Sequence, residues 1–510
     1  MNDTRPAQQD EPDDEPDPAQ ARSKSIGDRV AIALSFGSSA AVLVLELVSL
    51  RLVAPYLGLT LETNTAIIGV ALAAIATGAA FGGRFADAVP PTRSLGPLVL
   101  AAGAFVLLIL PAVRWTGEAV RGGGGNAVFL VVAVALFVPA SLLAAVTPMV
   151  TKLRLATLDQ TGTVVGRLSA YATVGAIVGT VLTGFVFVAK VPTSTIVLCL
   201  GGLLVVCGAV LTVLFRGLKA AAKPLALALV GTGLTLVAPR PCEVETAYHC
   251  ARVEKDPARA SGRTLYLDQL QHSYVDLSDP KYLKFEYTKN MAAAIDARWA
   301  GAEPLRALHI GGGGLTMPRY LTATRPNTQN KVYEIDPGVI DVDNAELGAR
   351  AGPDLDLQIR DGRLGVRSEP TDSRDLVIGD AFGGVAVPWH LTTREMVADI
   401  RRVLSSDGLY VVNVIDFGPL GFARAETRTI AAEFPYVGVI AAPDEIAGRT
   451  GGNFVLVAAD RPLPTAAIQG RLGTRATVLP DPGVRAFIGD APLLTDDYAP
   501  VDQLLTPYPS

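Results

Sequence analysis

Long apolar runs between Val30 and Ala238 constrain the fold of this chain more than any other feature. Most of them contain about 20 residues, the length of a helix that crosses the hydrocarbon core of a bilayer. The alternative is a large helical domain with a buried core, but so many long runs with few charged residues argue against it. We therefore predict seven membrane-spanning helices, at residues 30–55, 64–87, 95–113, 127–150, 168–189, 193–215 and 224–239.

Lysine and arginine are unevenly distributed between the loops that join these runs. The loops on the side of the N-terminus carry Arg22, Lys24, Arg29, Arg84, Arg93, Lys152, Arg154, Arg167, Arg216, Lys219 and Lys223. The opposite loops carry Arg114, Arg121 and Lys190. Because basic loops tend to stay in the cytoplasm, this bias predicts a multi-pass protein of the cell membrane with a cytoplasmic N-terminus. Everything after Pro239 is then extracytoplasmic.

Composition divides the chain into three parts. Residues 1–28 are polar and rich in Asp and Pro, which predicts a disordered tail, with a binding tail as the alternative. Residues 29–239 form the predicted membrane domain, whose partner is the lipid bilayer. Residues 240–510 form a domain of ordinary polarity. The net charge of −5 and the lack of a basic stripe argue against a nucleic-acid partner, whereas a homo-oligomer is left open.

Two charged residues lie at the first span. Glu46 lies within it and Arg51 lies near its end. A carboxylate inside a membrane is a candidate functional group, and a pairing with Arg51 or a structural contact between helices is the alternative. Further along, the spacing of Gly175 and Gly179 favours close packing between helices.

The four cysteines fall into two pairs. Cys199 and Cys207 lie in the sixth run, where they serve as small apolar residues. Cys242 and Cys250 lie just beyond the last run, in a half of the chain with no other cysteine, and we predict that they form a disulfide. A metal site with His249 is the alternative, but the spacing matches no common zinc pattern, so no metal is predicted.

Strands and helices alternate after Cys250. Stretches such as ARVEKD and GRTLYLDQLQHSYVDL predict short antiparallel strands in a small N-terminal β-hairpin region, followed by a helix near 281–299. Alternation then predicts an α/β domain with a mostly parallel, doubly wound sheet. Its predicted elements are strands 305–310, 331–335, 356–360, 375–379 and 409–415, helices 337–350 and 392–404, and a late hairpin that includes NFVLVAAD.

The stretch 305–336 carries the strongest functional signal. An apolar strand runs into four glycines, Gly311 to Gly314, and the next strand ends in the acids of YEID. Glycines at a strand-to-helix turn let a ligand approach the backbone closely. A carboxylate at the end of the next strand is placed to accept hydrogen bonds from ribose hydroxyls. The glycine spacing differs from the dinucleotide fingerprint, so the predicted ligand is a nucleoside.

Residues 264–416 resemble the spermidine synthase family, which are polyamine aminopropyltransferases with a methyltransferase-like Rossmann fold. The resemblance rests on LDQLQHSY, HIGGGG, YEID, RDGR and DLVIGDAFGG, in this order, with LTDDYAPVD closing the chain. The whole chain resembles bacterial proteins in which such a domain is fused to a transporter-like membrane domain. The resemblance implies an adenosylated donor, such as decarboxylated S-adenosylmethionine or a related adenosyl thioether, and a small polycation or other small molecule as acceptor.

The resemblance also implies a role for particular residues. Asp380 takes the place of the catalytic aspartate, and Tyr287 lines the same cavity. The residues implied in donor binding are Gln271 at the donor's tail, Gly311, Gly312 and Gly313 at its methionine-derived part, Glu334 and Asp336 at the ribose, and Asp361 and Gly362 at the adenine. From the residues alone, Asp380 is equally a helix N-cap after a strand.

Several acids of the family pattern are replaced in this chain. Gly314 stands where the family has an aspartate after three glycines, and Ala381 to Gly384 lack the family's second acid. Thr288 and Lys289 replace a His-Glu pair. Trp389 and His390 are candidates to compensate in part for these missing acids, with His390 as a candidate substrate-binding residue. These departures predict poor or absent conversion of putrescine to spermidine. They favour a related methyltransferase or a non-enzymatic binding or scaffold domain as alternatives to the aminopropyltransferase.

Overall fold

A computed structural model describes residues 26–58, 61–121, 126–155, 161–349, 351–384 and 386–506. Most of the predicted disordered tail, residues 1–28, lies outside the described residues. The chain forms a helical bundle followed by an α/β unit that carries a small separate β-sheet.

Among the described residues, the bundle contains seven helical segments that are long and apolar enough to cross a membrane, and each predicted run overlaps one of them. Its helices are α1 Asp28–Leu57, α2 Leu61–Ala88, α3 Pro91–Ala119, α4 Asn126–Ala144, α5 Val146–Arg154, α6 Thr161–Leu182, α7 Thr193–Arg216 and α8 Ala222–Val237. The fourth segment combines α4 and α5, which are separated by a break at Ala145. The fifth extends α6 through Thr183–Phe187 and Val188–Lys190.

Small residues let α6 pack closely on α1, as predicted. A Cβ added to Gly175 would lie 2.2 Å from the carbonyl oxygen of Phe36, and one on Gly179 would lie 2.7 Å from that of Ala40. A larger side chain at either position would push the two helices apart. The contact between α1 and α6 therefore depends on glycine at both positions.

The small sheet precedes the α/β unit. Its antiparallel strands are β1 Val244–Glu245, β2 Cys250–Lys255, β3 Gly262–Leu267 and β4 Leu270–Asp276. The predicted disulfide is confirmed, because Cys242 is bonded to Cys250. The following helix, α9 Glu286–Arg298, begins several residues later than predicted.

In the described residues, the main sheet has eight strands in the order β12-β10-β11-β9-β8-β5-β6-β7. Its elements are β5 Arg306–Ile310, α10 Thr316–Thr324, β6 Gln329–Glu334, α11 Pro337–Glu346, β7 Leu355–Ile359, α12 Gly362–Ser368, β8 Arg374–Gly379, α13 Arg394–Val403, β9 Leu404–Asp416, α14 Gly421–Glu433, β10 Tyr436–Ala441, α15 Pro443–Ile446, β11 Gly452–Ala459, α16 Thr465–Leu472, β12 Thr477–Leu479, α17 Asp481–Ile488 and α18 Val501–Leu504.

This sheet is Rossmann-like but more mixed than the sequence predicts. Strands β5 to β9 pair in parallel, whereas β11 runs antiparallel to both β9 and β10, and β12 runs antiparallel to β10. The chain starts at β5, proceeds outward to β7, and returns to β8 on the other side of β5. That reversal leaves a crevice at the carboxyl ends of β5 and β8, where ligands bind in open α/β sheets.

The two ends of the bundle differ in what they contact. At one end, Asp28 at the start of α1 forms ion pairs with Arg154 and Arg167. At the other end, Arg51 near the end of α1 donates to backbone carbonyls of the β1–β2 turn. Arg51 thus does not pair with Glu46, the alternative considered from the sequence. The α/β unit and the N-terminal end of α1 lie at opposite ends of the bundle.

Candidate functional site

A cavity of about 480 Å³ opens at the carboxyl ends of the parallel strands. Glycine is required where β5 leaves the sheet, because Gly311 has a φ of 101°. A Cβ at this position would lie 2.3 Å from the carbonyl oxygen of Asp380. The close approach of these two turns brings the glycine-rich loop and the end of β8 to the same cavity. Gly311, Gly312 and Gly313 all line it, as predicted from their place after a strand.

Glu334 lies at the end of β6 and lines the cavity. Its carboxylate accepts hydrogen bonds from the backbone N–H of Gly312 at 2.7 Å and of Asp336 at 2.9 Å. Only 9% of the residue is exposed, and burial raises the pKa of its carboxyl above the usual range, against the effect of these two bonds. The group is therefore held in one orientation on the cavity wall.

Asp336 has a different place from the one implied by the resemblance. Its carboxylate caps α11 by accepting from the N–H of Gly338 at 2.9 Å, and it accepts a further hydrogen bond from the Thr246 hydroxyl. The side chain is buried and does not line the cavity. Asp336 contributes instead through its backbone N–H, which orients Glu334.

Asp361 and His390 lie together on the cavity wall. One oxygen of Asp361 caps α12 by accepting from the N–H of Leu364 at 2.9 Å, and the other lies 3.0 Å from Nε2 of His390. His390 is thus bonded to the carboxylate expected at the adenine. Gly362 also lines the cavity, and a Cβ there would lie 2.5 Å from Cγ2 of Ile310. Trp389, by contrast, is half exposed and is not a lining residue.

Asp380 is held by side chains from distant parts of the chain. Tyr287 of α9 donates to Oδ2 at 3.2 Å, and Asn413 of β9 donates to Oδ1 at 3.0 Å. Asn453 of β11 donates in turn to Asn413 at 3.0 Å. Burial raises the pKa of Asp380 to about 6, although both hydrogen bonds oppose that shift. Asp380 is not a helix cap, so the alternative drawn from its position after a strand is wrong.

Gln271 lines the cavity from β4, where it donates to the Tyr266 hydroxyl at 3.0 Å. Its neighbour His272 lines the same wall, and burial lowers the pKa of that imidazole to about 4. His249 also lines the cavity and lies 2.9 Å from the carboxylate of Asp268. The sequence analysis missed His272, and it considered His249 only as a possible metal ligand.

Other lining residues of the cavity were also missed from the sequence. Asn290 of α9 is 4% exposed, and its Oδ1 has no hydrogen-bond partner among the described residues. Glu445 of α15 lines the cavity, and burial raises the pKa of its carboxyl. Asn413 has a signal in the sequence, since it interrupts the apolar strand VVNVI, whereas Glu445 has none.

The space beside Gly314 explains why no acid stands there. Gly314 has a φ of 73°, and a Cβ on it would lie 2.0 Å from Oγ of Ser273. Ser273 of β4 thus occupies the volume that a side chain at position 314 would need. The N–H of Gly314 donates to both carboxylate oxygens of Asp343 at 3.0 Å, which fixes the loop from the other side. Among the residues that the structure describes, no cluster of three or more His, Cys, Asp or Glu could hold a metal ion.

Comparison with known proteins places this site in context. The polyamine aminopropyltransferase of Vibrio vulnificus is 28% identical over 164 residues, which cover 32% of this chain and 54% of that protein. The enzyme of the same description from Chromobacterium violaceum is 29% identical over 153 residues, or 30% of this chain and 57% of that protein. The chain is similar in sequence to polyamine aminopropyltransferases.

This similarity covers part of each protein. The chain spans about half the length of the curated relatives it matches. A crystal structure of a probable spermidine synthase from Corynebacterium glutamicum is 29% identical and covers 50% of this chain and 96% of that one, with a TM-score of 0.48. No model of a protein family matches the chain.

Proposed function

We propose that the α/β unit transfers an aminopropyl-type group from an adenosyl sulfonium donor to a small amine. The observation that carries this proposal is that two carboxylates in different settings, the buried Glu334 and the partly buried Asp380, face one cavity of about 480 Å³. A cavity of that size holds a nucleoside together with a short aliphatic chain.

The nucleoside half of the donor fits the side that contains Glu334 and Asp361. Both carboxylates are fixed by backbone N–H groups, so each presents acceptor oxygens without a large entropic cost on binding. Glu334 would accept from the ribose hydroxyls, and Asp361 would accept from the adenine amino group. The bare backbone of Gly312 and Gly313 leaves room for the sulfur and its substituents.

The reaction needs one proton acceptor. An ammonium acceptor must lose a proton before its nitrogen lone pair can attack the carbon attached to the sulfonium. As the new C–N bond forms, the C–S bond breaks and its electron pair stays on sulfur, which leaves as a neutral thioether. Asp380 is suited to take the proton, because its pKa of about 6 keeps it ionised at neutral pH yet basic enough to accept.

On the side of the cavity that would hold the amine, there are more oxygen atoms able to accept hydrogen bonds than the sequence suggests. Glu445 supplies a second carboxylate from α15, and Oδ1 of Asn290, one turn from Tyr287 on α9, finds no hydrogen-bond partner in the described part of the chain. Arg475 also lines the cavity, but Glu286 neutralises it at 2.7 Å. A small amine with a second cationic group therefore meets two carboxylates, and the amine can be a polyamine despite the missing family acids.

A second candidate is a domain that binds an adenosyl thioether without turnover. Its support is the geometry at Gly314, where Ser273 fills the place of an acid that would face the donor's amine. The two candidates share the nucleoside site and differ in the chemistry at Asp380.

Nucleoside binding can be tested on the full chain in detergent, by calorimetry with 5′-methylthioadenosine. We expect Glu334→Gln to weaken binding by about 1–3 kcal/mol, since a charge-assisted contact to the ribose is lost. Glu346→Gln, at an exposed position on α11, is the matched control and should bind as the wild type does. Equal affinity in the wild type and Glu334→Gln, or no binding by the wild type, would sink the proposed site.

We further propose that the bundle spans the cell membrane and that the α/β unit is extracytoplasmic. The excess of Lys and Arg on the side of the N-terminus supports this orientation, and so does the disulfide, which persists in oxidising compartments. A single cysteine at Glu303, with Cys199 and Cys207 changed to serine, should react with a membrane-impermeant maleimide in intact cells. Labelling only after lysis would place the unit in the cytoplasm.

A further inference from the structure

The hairpin closed by the disulfide touches both the bundle and the nucleoside side of the cavity. We call residues 242–250 the disulfide hairpin. Its two sides are joined by the Cys242–Cys250 bond and by the pairing of Glu245 with Cys250. Its turn is closed by the N–H of Thr246, which donates to the carbonyl of His249 at 2.8 Å. Because these bonds hold the two sides together, a displacement of one side displaces the other.

Two helices of the bundle anchor this hairpin. Arg51 of α1 donates to the carbonyl oxygen of Thr246 at 3.3 Å and also to that of Ala247. The Glu245 carboxylate accepts from the N–H of Ser194 at 2.9 Å, in the first turn of α7. Helix N-termini have unpaired N–H groups and favour negative charge, so this contact is a stable attachment.

The hairpin also contacts residues next to the proposed nucleoside site. Thr246 donates its hydroxyl to the Asp336 carboxylate. A Cβ on Gly338 would lie 2.6 Å from Cβ of Thr246, so the hairpin packs directly on the first turn of α11. The N–H of Asp336 donates to Glu334 at 2.9 Å. A continuous set of contacts thus runs from Arg51 through Thr246 and Asp336 to Glu334.

His249 adds a second contact between the same regions. Its side chain lines the large cavity and also a small crevice between the hairpin and the bundle, which Arg51 and Tyr56 line from the other side. The Asp268 carboxylate holds the ring at 2.9 Å and accepts from the N–H of Cys250 at 3.1 Å. A shift of the hairpin relative to α1 would therefore move a wall of the cavity as well as Asp336.

We propose that the disulfide hairpin couples the helical bundle to ligand binding at Glu334, with Arg51 as the positioning residue on the bundle. The proposal rests on the proposed nucleoside site. Coupling between two sites is reciprocal. A molecule that binds the bundle and moves α1 therefore changes the affinity for the nucleoside, and an occupied cavity biases the end of the bundle that α1 and α7 form.

The test compares the full-length wild type with Arg51→Leu in detergent, using 5′-methylthioadenosine as the probe. We expect the affinity to fall about three- to tenfold, the loss of one or two hydrogen bonds. Arg51→Lys can still donate to one carbonyl and should recover part of the affinity. Arg121→Leu is the matched control, because Arg121 lies at the same end of the bundle and bonds to Pro55 and Glu118 but not to the hairpin.

A second readout needs no ligand. In Arg51→Leu, hydrogen exchange should accelerate at the amides of Gly312 and Asp336, which donate to Glu334, and should be unchanged in β8 and β9. If the wild type does not bind the probe, the nucleoside site is refuted. Faster exchange at these two amides in Arg51→Leu would still support the coupling in that case. Unchanged affinity and exchange in Arg51→Leu would overturn the coupling. So would an equal effect of Arg121→Leu, or faster exchange throughout the sheet.

Discussion

The two sides of the cavity are built in different ways. On the side proposed for the nucleoside, Glu334 and Asp361 are held by backbone N–H groups close by in the chain or on the adjacent glycine turn. On the acceptor side, Asp380 is held by the side chains of Tyr287 and Asn413, which come from elements far apart in the sequence. A carboxylate fixed by backbone tolerates changes in its neighbours, whereas one fixed by side chains can be retuned by single substitutions. The acceptor side is therefore where this chain can differ from its relatives in chemistry.

The largest expected effect is on the rate of group transfer, which should depend on one side of the cavity and not on the other. Asp380→Asn keeps the shape of the side chain but removes the proton acceptor, so we expect transfer to slow by about 10²- to 10⁴-fold. The affinity for 5′-methylthioadenosine should be unchanged, since Asp380 lies on the acceptor side. Single-turnover rates and calorimetry on the same preparation measure both quantities. A comparable loss in both would show that the two sides are not separable.

The next effect concerns the stability of the glycine turn beside the cavity. Gly314→Asp restores the acid of the family pattern, but the new side chain would meet Ser273 and adopt a strained φ. We expect a loss of roughly 2–4 kcal/mol in the free energy of unfolding. Ser273→Gly in the same chain should recover part of it by clearing the space. Thermal unfolding of the single and double variants would reveal whether Ser273 is the obstacle, and an unaffected Gly314→Asp would refute the steric account.

The smallest effect is a shift in pH dependence. Transfer requires ionised Asp380, so the rate should fall as pH drops through about 6 and level off above it. The hydrogen bond from Asn413 stabilises the ionised form, so Asn413→Ala should move this acid limb upward by up to about one pH unit. Asn453→Ala, which acts only through Asn413, should move it less. A limb that stays in place in Asn413→Ala would mean that another group controls it.

The contrast between local and long-range contacts also explains which features could be predicted from the sequence. The apolar runs, the glycine turn, Glu334 and the strand-end position of Asp380 follow from local patterns, and the structure places all of them as expected. Asn413, Glu445 and Asn290 were missed because only tertiary packing brings them to the cavity. Asp336 was misplaced, since an acid beside a strand end can equally cap the next helix. The late hairpin that includes NFVLVAAD was predicted and is the pair β10–β11. The antiparallel pairing of β11 with β9 was missed, because strand direction leaves little trace in a hydrophobic pattern.

The central claim is that both sides act on one pair of substrates in one cavity. The most direct measurement incubates the full-length protein with decarboxylated S-adenosylmethionine and a set of small amines, among them butylamine, 1,4-diaminobutane and spermidine. Mass spectrometry then quantifies methylthioadenosine and the alkylated amine. The account predicts that at least one amine yields the two products in equal amounts. Tight binding of methylthioadenosine without either product would contradict it and leave a ligand-binding domain on a helical bundle.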